Sequence, residues 1–253
     1  VNKVGKPVVI KINSKPEANG AREVVIVPID NEGPLYYRDW VEKNRKRIDE
    51  ASKGKVGYIH VPDMMQAGLN EFARQFYPQL KKSALIIDMR GNGGGNVSPM
   101  LIERLRREIA MIGIARGTPP SVDPRGMMHG PMVCLMNEFS ASDGDLFPYR
   151  FRQHKLGKLI GKRSWGGVIG IRGTLPLLDG GTLNKPEFSR YDIEGKEWII
   201  EGKGVTPDII VDNDPAIEYS GKDQQLERAI EEILNELKTK EKKLPPPPPF
   251  PKK

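Results

Sequence analysis

Cys134 is the single cysteine of the 253-residue chain, which excludes an intramolecular disulfide and any cysteine-based metal site. It sits inside MVCLM, a buried-strand pattern, and leaves the redox compartment open. No run of about 18 apolar residues occurs, so no membrane span is expected. The N-terminal VNKVGKPVVIKINSKP lacks a long apolar stretch and a small-residue cleavage end, and so is not a signal peptide. It also lacks an initiator Met, and reads as a processing boundary or the start of a piece of a longer protein. The net charge is +7, but no basic stripe is interleaved with exposed aromatics. Arg45, Lys46 and Arg47, or Arg104, Arg106 and Arg107, are the residues that phosphate contact would use. Their interleaving with Glu and Asp reads instead as the solvated faces of helices, so neither nucleic acid nor membrane is expected as a partner.

What is there suffices for a substantial core, as one large domain or one domain and a fragment. VVIKI and EVVIVPI alternate as two strands around a polar turn, and LYYRDWVEKNRKRIDEAS has helical spacing with a charged outer face. VGYIHV is a strand, residues 64–80 form a second amphipathic helix, and SALIIDM is a continuous apolar run suited to a central buried strand. That run ends in RGNGGGN and continues as a helix through SPMLIERLRREIA. PMVCLM is another buried strand, running into NEFSASDGDLF and a helix around GDLFPYRFRQH. EWIIEG and DIIVD are strand-like, and residues 226–240 are a strong final helix. The alternation of strands and helices gives an α/β class. The tail KLPPPPPFPKK is polyproline-like and expected to be disordered, either as an SH3-type ligand or as a solvated terminus.

Three glycine-flanked features carry candidate chemistry. DMRGNGGGN leaves a buried strand and opens a helix, so its amides converge as a phosphate or oxyanion site would need, or as in a plain tight turn. No Lys-Ser/Thr follows and the GxGxxG spacing is absent, which excludes a Walker A loop and the dinucleotide fingerprint. Ser140 and Ser142 lie between a buried strand and a helix start; either is a helix cap or a nucleophile backed by the helix dipole. In WIIEGKGVTPD, Glu201 ends an apolar strand, as a satisfied edge residue or as an acid that orients a catalytic group.

The ordered stretches LIIDMRGNGGG, VCLMNEFSASDGD, LIGKRSWGGV and IIEGKGVTPDI resemble the C-terminal processing peptidases, and within them the tricorn protease branch. The resemblance runs from about Gly33 to Val211, with GYIHVPDM and the helix before it also matching. It implies a crotonase-like (ββα-superhelix) α/β fold over residues 31–240, residues 1–30 being the last two strands of a PDZ domain and 241–253 the tail. It also implies a serine peptidase whose nucleophile is Ser142, with an oxyanion hole from the Asp143 amide and the Gly94–Gly95 turn. Glu201 matches the family glutamate, and Asp145 fixes the helix start. No metal or cofactor is implied. Where the processing proteases carry a lysine base, Gly167 stands here, with Lys158 and Lys162 nearby but off the motif position, so a Ser-Lys dyad is not expected. The tricorn branch uses a histidine from a segment upstream of the PDZ domain. Of the histidines present, His60 is mid-strand, His129 precedes the strand leading to Ser142, and His154 lies three turns down the following helix. None is assigned as the base. Peptides or unfolded chains are the implied substrates, with a homo-oligomer and a prokaryotic cytoplasm, or the periplasm or export as the alternative compartment. The missing base and Gly167 motivate an alternative: a catalytically inactive peptide-binding module or scaffold.

Overall fold

A computed structural model describes residues 2–241 and 243–249, the side chains of 172–174 excepted. It divides into two compact units, Val1–Lys43 and Asn44–Lys253. The first holds an antiparallel hairpin of β1 (Val8–Ile12) and β2 (Arg22–Ile26), the two strands expected around the polar turn. Helix α1 (Gly33–Ser52) runs across the division.

The second unit is built on a five-stranded parallel sheet. Its strands are β3 (Val56–His60), β4 (Ala84–Asp88), β7 (Met132–Met136), β8 (Gly157–Gly161) and β11 (Ile209–Ile210), in the spatial order β11-β8-β7-β4-β3. Every residue of β3, β4 and β7 is buried, as expected of strands covered on both faces. Parity sorts those faces. Leu85, Ile87 and Cys134 share a core with Phe72, Phe76, Leu101, Phe147 and Phe151. These come from α2 (Gln66–Phe76), α3 (Ser98–Leu105) and α4 (Asp143–Gln153). Ile86, Val133 and Leu135 point the other way, where α6 (Gln224–Lys240) packs over β4, β7 and β8. That helix buries Leu226, Ala229, Ile230, Ile233 and Leu237 on one stripe, and Asp223 caps it by accepting the Leu226 N–H at 3.0 Å.

Three expectations are corrected in the periphery. The helix expected over 64–80 becomes a single 3-10 turn from Tyr77, because Pro78 has no N–H to continue it. Helix α3 stops at Leu105 rather than reaching Ala110, and the residues that follow it, Arg106, Arg107 and Glu108, are exposed charges. WII does not form a strand: Trp198 makes only an isolated bridge to Tyr191, and Ile200 turns at φ +72° into the core. The remaining elements are small: hairpins β5–β6 (Met111–Gly113, Ser121–Asp123) and β9–β10 (Gly170–Pro176, Thr182–Phe188), and helix α5 (Pro215–Tyr219). Of the proline-rich tail, residues 243–249 form no helix or strand, and 242 and 250–253 lie outside the described residues.

A buried ionic cluster closes the C-terminal edge of β3 and β4. Arg90 binds Asp88 at 2.7 Å and Asp223 at 2.8 Å, and the Tyr58 hydroxyl donates to Asp88 at 2.9 Å. Burial pushes the Asp88 carboxyl up, but the Arg90 charge and its hydrogen bonds outweigh that and hold it below the ordinary value. Its contribution is therefore complete above the unfolded pKa and is lost as pH falls through the depressed folded one. Asp88→Asn is expected to cost about 3 kcal/mol at pH 7, because it leaves a buried guanidinium short of charge. In urea titrations the difference from wild type should shrink as pH falls below the ordinary carboxylate value, where wild type is itself losing this term. A pH-independent difference would contradict the charge-based account.

Candidate active site

All five sheet strands are parallel, so the loops leaving their carboxyl ends gather on one edge, where α/β sheets bind ligands. β7 delivers the serine loop to that edge and separates its two serines. Ser140 is fully buried; its Oγ donates to the Met89 carbonyl at 2.9 Å and accepts the Asn137 N–H at 3.3 Å. Ser142 is exposed and sits at φ +54°, ψ −118°, a conformation that costs a non-glycine residue on the order of 1–3 kcal/mol. It occupies the N-cap position of α4 without making a side-chain cap hydrogen bond, so capping does not account for it. The strained strand-to-helix turn is the geometry that lifts a serine nucleophile clear of a sheet.

Asp143 opens the helix, and its own N–H has no hydrogen-bond partner among the described residues. Its carboxylate turns inward instead. Oδ2 accepts the Ser98 N–H at 2.8 Å, and Oδ1 accepts from the Ser98 hydroxyl and, at 3.0 Å, from Arg150. The side chain thus ties α4 to the start of α3 while the amide faces out at a helix N-terminus, where the dipole favours negative charge.

The glycine turn after β4 lies against this serine. A methyl group at Gly94 would fall 2.6 Å from the Ser142 Cβ, and one at Gly95 would fall 2.0 Å from the Met64 carbonyl oxygen. With φ values of +101° and +144°, neither position accepts another residue without rebuilding the turn. The two amides differ. The Gly94 N–H is spent on Asn92 Oδ1 at 3.0 Å, whereas the Gly95 N–H has no partner among the described residues.

Glu201 lies in a turn, not at the end of a strand. Its Oε2 accepts the Val168 N–H at 2.6 Å and the Ile169 N–H at 2.8 Å. The preceding residue, Gly167, accepts the Ser142 N–H on its carbonyl at 3.1 Å. One peptide unit separates these contacts, so the carboxylate lies within about 8 Å of the Ser142 nitrogen. Asp145 acts on the same loop rather than on the helix start. It is buried and accepts the Gly166 N–H at 2.8 Å and the Gly167 N–H at 3.3 Å. Burial pushes its carboxyl above the ordinary value, opposed by hydrogen bonds from Ser164 and these amides.

The sequence model of Peptidase family S41 matches residues 55–211, the stretch that carries this geometry. The chain belongs to Peptidase family S41. It is 39% identical over 246 residues to the tricorn protease of Thermoplasma volcanium, covering 97% of this chain and 24% of that protein. It is 42% identical over 221 residues to a putative tricorn-like protease C-terminal subunit of Sulfurisphaera tokodaii, covering 87% and 26%. A crystal structure of the tricorn protease superposes with a TM-score of 0.86 at 39% identity, over 94% of this chain and 23% of that one. The chain spans about a quarter of the length of these relatives.

Ser142, Asp143, Gly95 and Glu201 all fall inside the S41 match. Among the described residues, no histidine or lysine gathers with them as a proton acceptor for Ser142. His60 stands 3.2 Å from the Arg90 carbonyl through Nε2, and burial pushes its pKa down. His129 precedes β7, at the opposite edge of the sheet from the serine loop. His154 ends α4, about 16 Å from its start. It lines a cavity of about 590 Å³ with Pro131 and Gly157, a cavity that shares no residue with the serine loop. Lys162 binds Glu138 at 2.8 Å and Asp212 at 3.0 Å, hydrogen bonds that raise its pKa; the hydrogen bond to Glu232 does the same for Lys158. Both ammonium groups are held in their charged form and serve as surface pairs. Sequence reasoning missed Asn92, Ser98 and Arg150, which brace the site. The one signal for Asn92 was its place inside a glycine run.

Proposed function

We propose that this S41 chain carries the nucleophile, oxyanion site and orienting acid of a serine peptidase, whose base is a histidine from an upstream segment of a longer polypeptide. The observation that carries the reading is an exposed, strained Ser142 with no side-chain partner among the described residues, beside the Asp143 and Gly95 amides, which also have none there. In the reaction, the histidine takes the Ser142 proton as Oγ attacks the substrate carbonyl carbon. The oxyanion that forms is bound by the Asp143 and Gly95 amides. Collapse expels the amine, protonated by the imidazolium, and water then releases the acyl group by the same route. Glu201 holds the imidazole with the carboxylate oxygen that Val168 and Ile169 do not use.

The substrates are peptides or unfolded chains laid along the site as an added strand. Three exposed apolar side chains adjoin its elements: Met65 against Gly95, Trp165 against Gly167, and Ile169 beside Glu201. They favour apolar substrate residues near the scissile bond. Trp165→Ala is accordingly expected to lower kcat/KM for peptides with aromatic or aliphatic residues there by about tenfold. Peptides with polar residues at those positions should be unaffected, and an equal loss for both sets would oppose the assignment. The tricorn likeness also supports a homo-oligomeric, cytoplasmic protein, a crotonase-like arrangement of the sheet, and β1–β2 as the end of a PDZ domain. No helix of the described residues is long and apolar enough to cross a membrane.

The test is a serine-directed fluorophosphonate applied to the full-length polypeptide, followed by mapping of the adduct. A phosphonylated Ser142 supports the reading. Peptide binding with no adduct and no turnover would replace it with the inactive peptide-binding module.

A further inference from the structure

Asn92 is fully buried, yet it joins the exit of β3, the glycine turn and the serine loop. Its Nδ2 donates to the Val61 carbonyl at 2.9 Å, at the exit of β3. Its Oδ1 accepts the Gly94 N–H at 3.0 Å. Its backbone carbonyl accepts the Ala141 N–H at 2.9 Å and is packed so closely on Gly144 that a methyl there would come within 2.1 Å. A buried amide that satisfies a donor and an acceptor from two different loops fixes both, because rotating away would leave two polar groups unpaired.

The consequence for Gly95 follows from peptide planarity. The Gly94 N–H is held inward by Asn92, and the Gly94 carbonyl accepts the Met64 N–H at 2.8 Å. The Met64 bond orients the peptide unit joining Gly94 to Gly95, and the Asn92 bond orients the unit before it, Gly93–Gly94, so the two hold both sides of the Gly94 Cα. In a trans peptide the N–H points opposite to the C=O, so the Gly95 N–H is turned away from Met64 and left without a partner. Gly94 has a φ of +101° and no side chain, so without the Asn92 contact the Gly93–Gly94 unit could rotate about it, and the Met64 bond alone would hold the Gly95 amide.

We infer that Asn92 is a positioning residue of the oxyanion site: its side chain anchors the Gly93–Gly94 peptide and so steadies, together with the Met64 bond, the Gly94–Gly95 peptide that presents the Gly95 amide beside Ser142. The inference rests on the serine-peptidase reading and adds to it a residue that touches neither substrate nor nucleophile. It separates two roles for neighbouring glycines, Gly95 as donor and Gly94 as the pivot that Asn92 holds.

The experiment measures the second-order rate of Ser142 phosphonylation by a fluorophosphonate in the full-length polypeptide, since that transition state also places an oxyanion in the site. Asn92→Ala is expected to slow the reaction about 100-fold, the scale of losing one oxyanion donor. Asn92→Asp keeps an acceptor for Gly94 but loses the donor to Val61, and is expected to slow it about tenfold. Peptide affinity should change less than about twofold in either variant. Ser140→Ala is the control: it also removes a buried side-chain hydrogen bond beside the site but does not touch the Gly94–Gly95 peptide. Rates are corrected for the folded fraction of each variant. Slowing in Ser140→Ala equal to that in the Asn92 variants, or wild-type rates in those variants, would overturn the inference alone. Should Asn92→Ala not fold, Asn92→Asp against Ser140→Ala decides by the same criterion. Absence of any adduct on the wild-type protein overturns the peptidase reading and this inference together.

Discussion

Ser142→Ala is expected to lower kcat by about a million-fold in the full-length polypeptide, the scale seen when a serine nucleophile is removed, and to abolish fluorophosphonate labelling. The fold should be indifferent to the change, because the Ser142 side chain is exposed and makes no cap hydrogen bond. Ser142→Gly gives a second, independent readout. The backbone at φ +54°, ψ −118° is strained for serine and free for glycine, so this variant should be inactive and about 1 kcal/mol more stable. A residue whose loss both silences and stabilises the protein is being held in place by function. Denaturant midpoints alongside turnover measure both effects, and residual labelling of Ser142→Ala at the wild-type rate would move the nucleophile elsewhere. Ser140→Ala serves as contrast, since that hydroxyl is bonded to Met89 and should cost stability of about 1 kcal/mol with little loss of labelling.

The frame on which this site stands was readable from apolar periodicity. ALII and VCLM are uninterrupted apolar runs because both faces of β4 and β7 are covered, and each leads into a segment rich in glycine or serine. α6 was readable for the same reason, its inward stripe being regular over four turns. What could not be read was set by tertiary contact. Trp198, Ile199 and Ile200 have strand-like composition, yet Ile200 is drawn into the core through a positive φ that no propensity anticipates, and Glu201 is thereby placed in a turn. The choice between Ser140 and Ser142 came from family likeness; in the structure it rests on a buried hydrogen bond for one and an unpaired, strained position for the other.

The aspartates of SASDGD show the same limit. Asp143 and Asp145 stand two residues apart, but their carboxylates point to different elements, one to Ser98 and Arg150 and the other to the Gly166–Gly167 amides. Each is a brace. Asn92 is the converse case: a residue that looks like turn filler in a glycine run, whose partner Val61 is 31 positions away. Local pattern cannot report a hydrogen bond between segments that only the sheet brings together.

Glu201→Gln is expected to lower kcat by about 10³–10⁴ with KM little changed, as when the acid behind a catalytic histidine is made neutral. The substitution is informative because one glutamate oxygen already has a structural task. Oε2 accepts the Val168 and Ile169 amides, and a glutamine carbonyl oxygen can keep both bonds. The loop that also receives the Ser142 N–H on Gly167 then stays in place. What glutamine cannot supply is the negative charge, or an acceptor at the second oxygen position. The pH profile separates the two roles. An anion beside the histidine raises its pKa, so its removal should move the acidic limb of kcat/KM to lower pH, while loss of a loop brace would leave that limb where it is. Glu201→Ala removes both tasks and should add a loss of stability of about 1–3 kcal/mol from the two stranded amides. If Glu201→Gln retains wild-type kcat and pH profile while Glu201→Ala is merely destabilised, Glu201 is a brace like Asp145. The orienting acid would then have to arrive with the histidine.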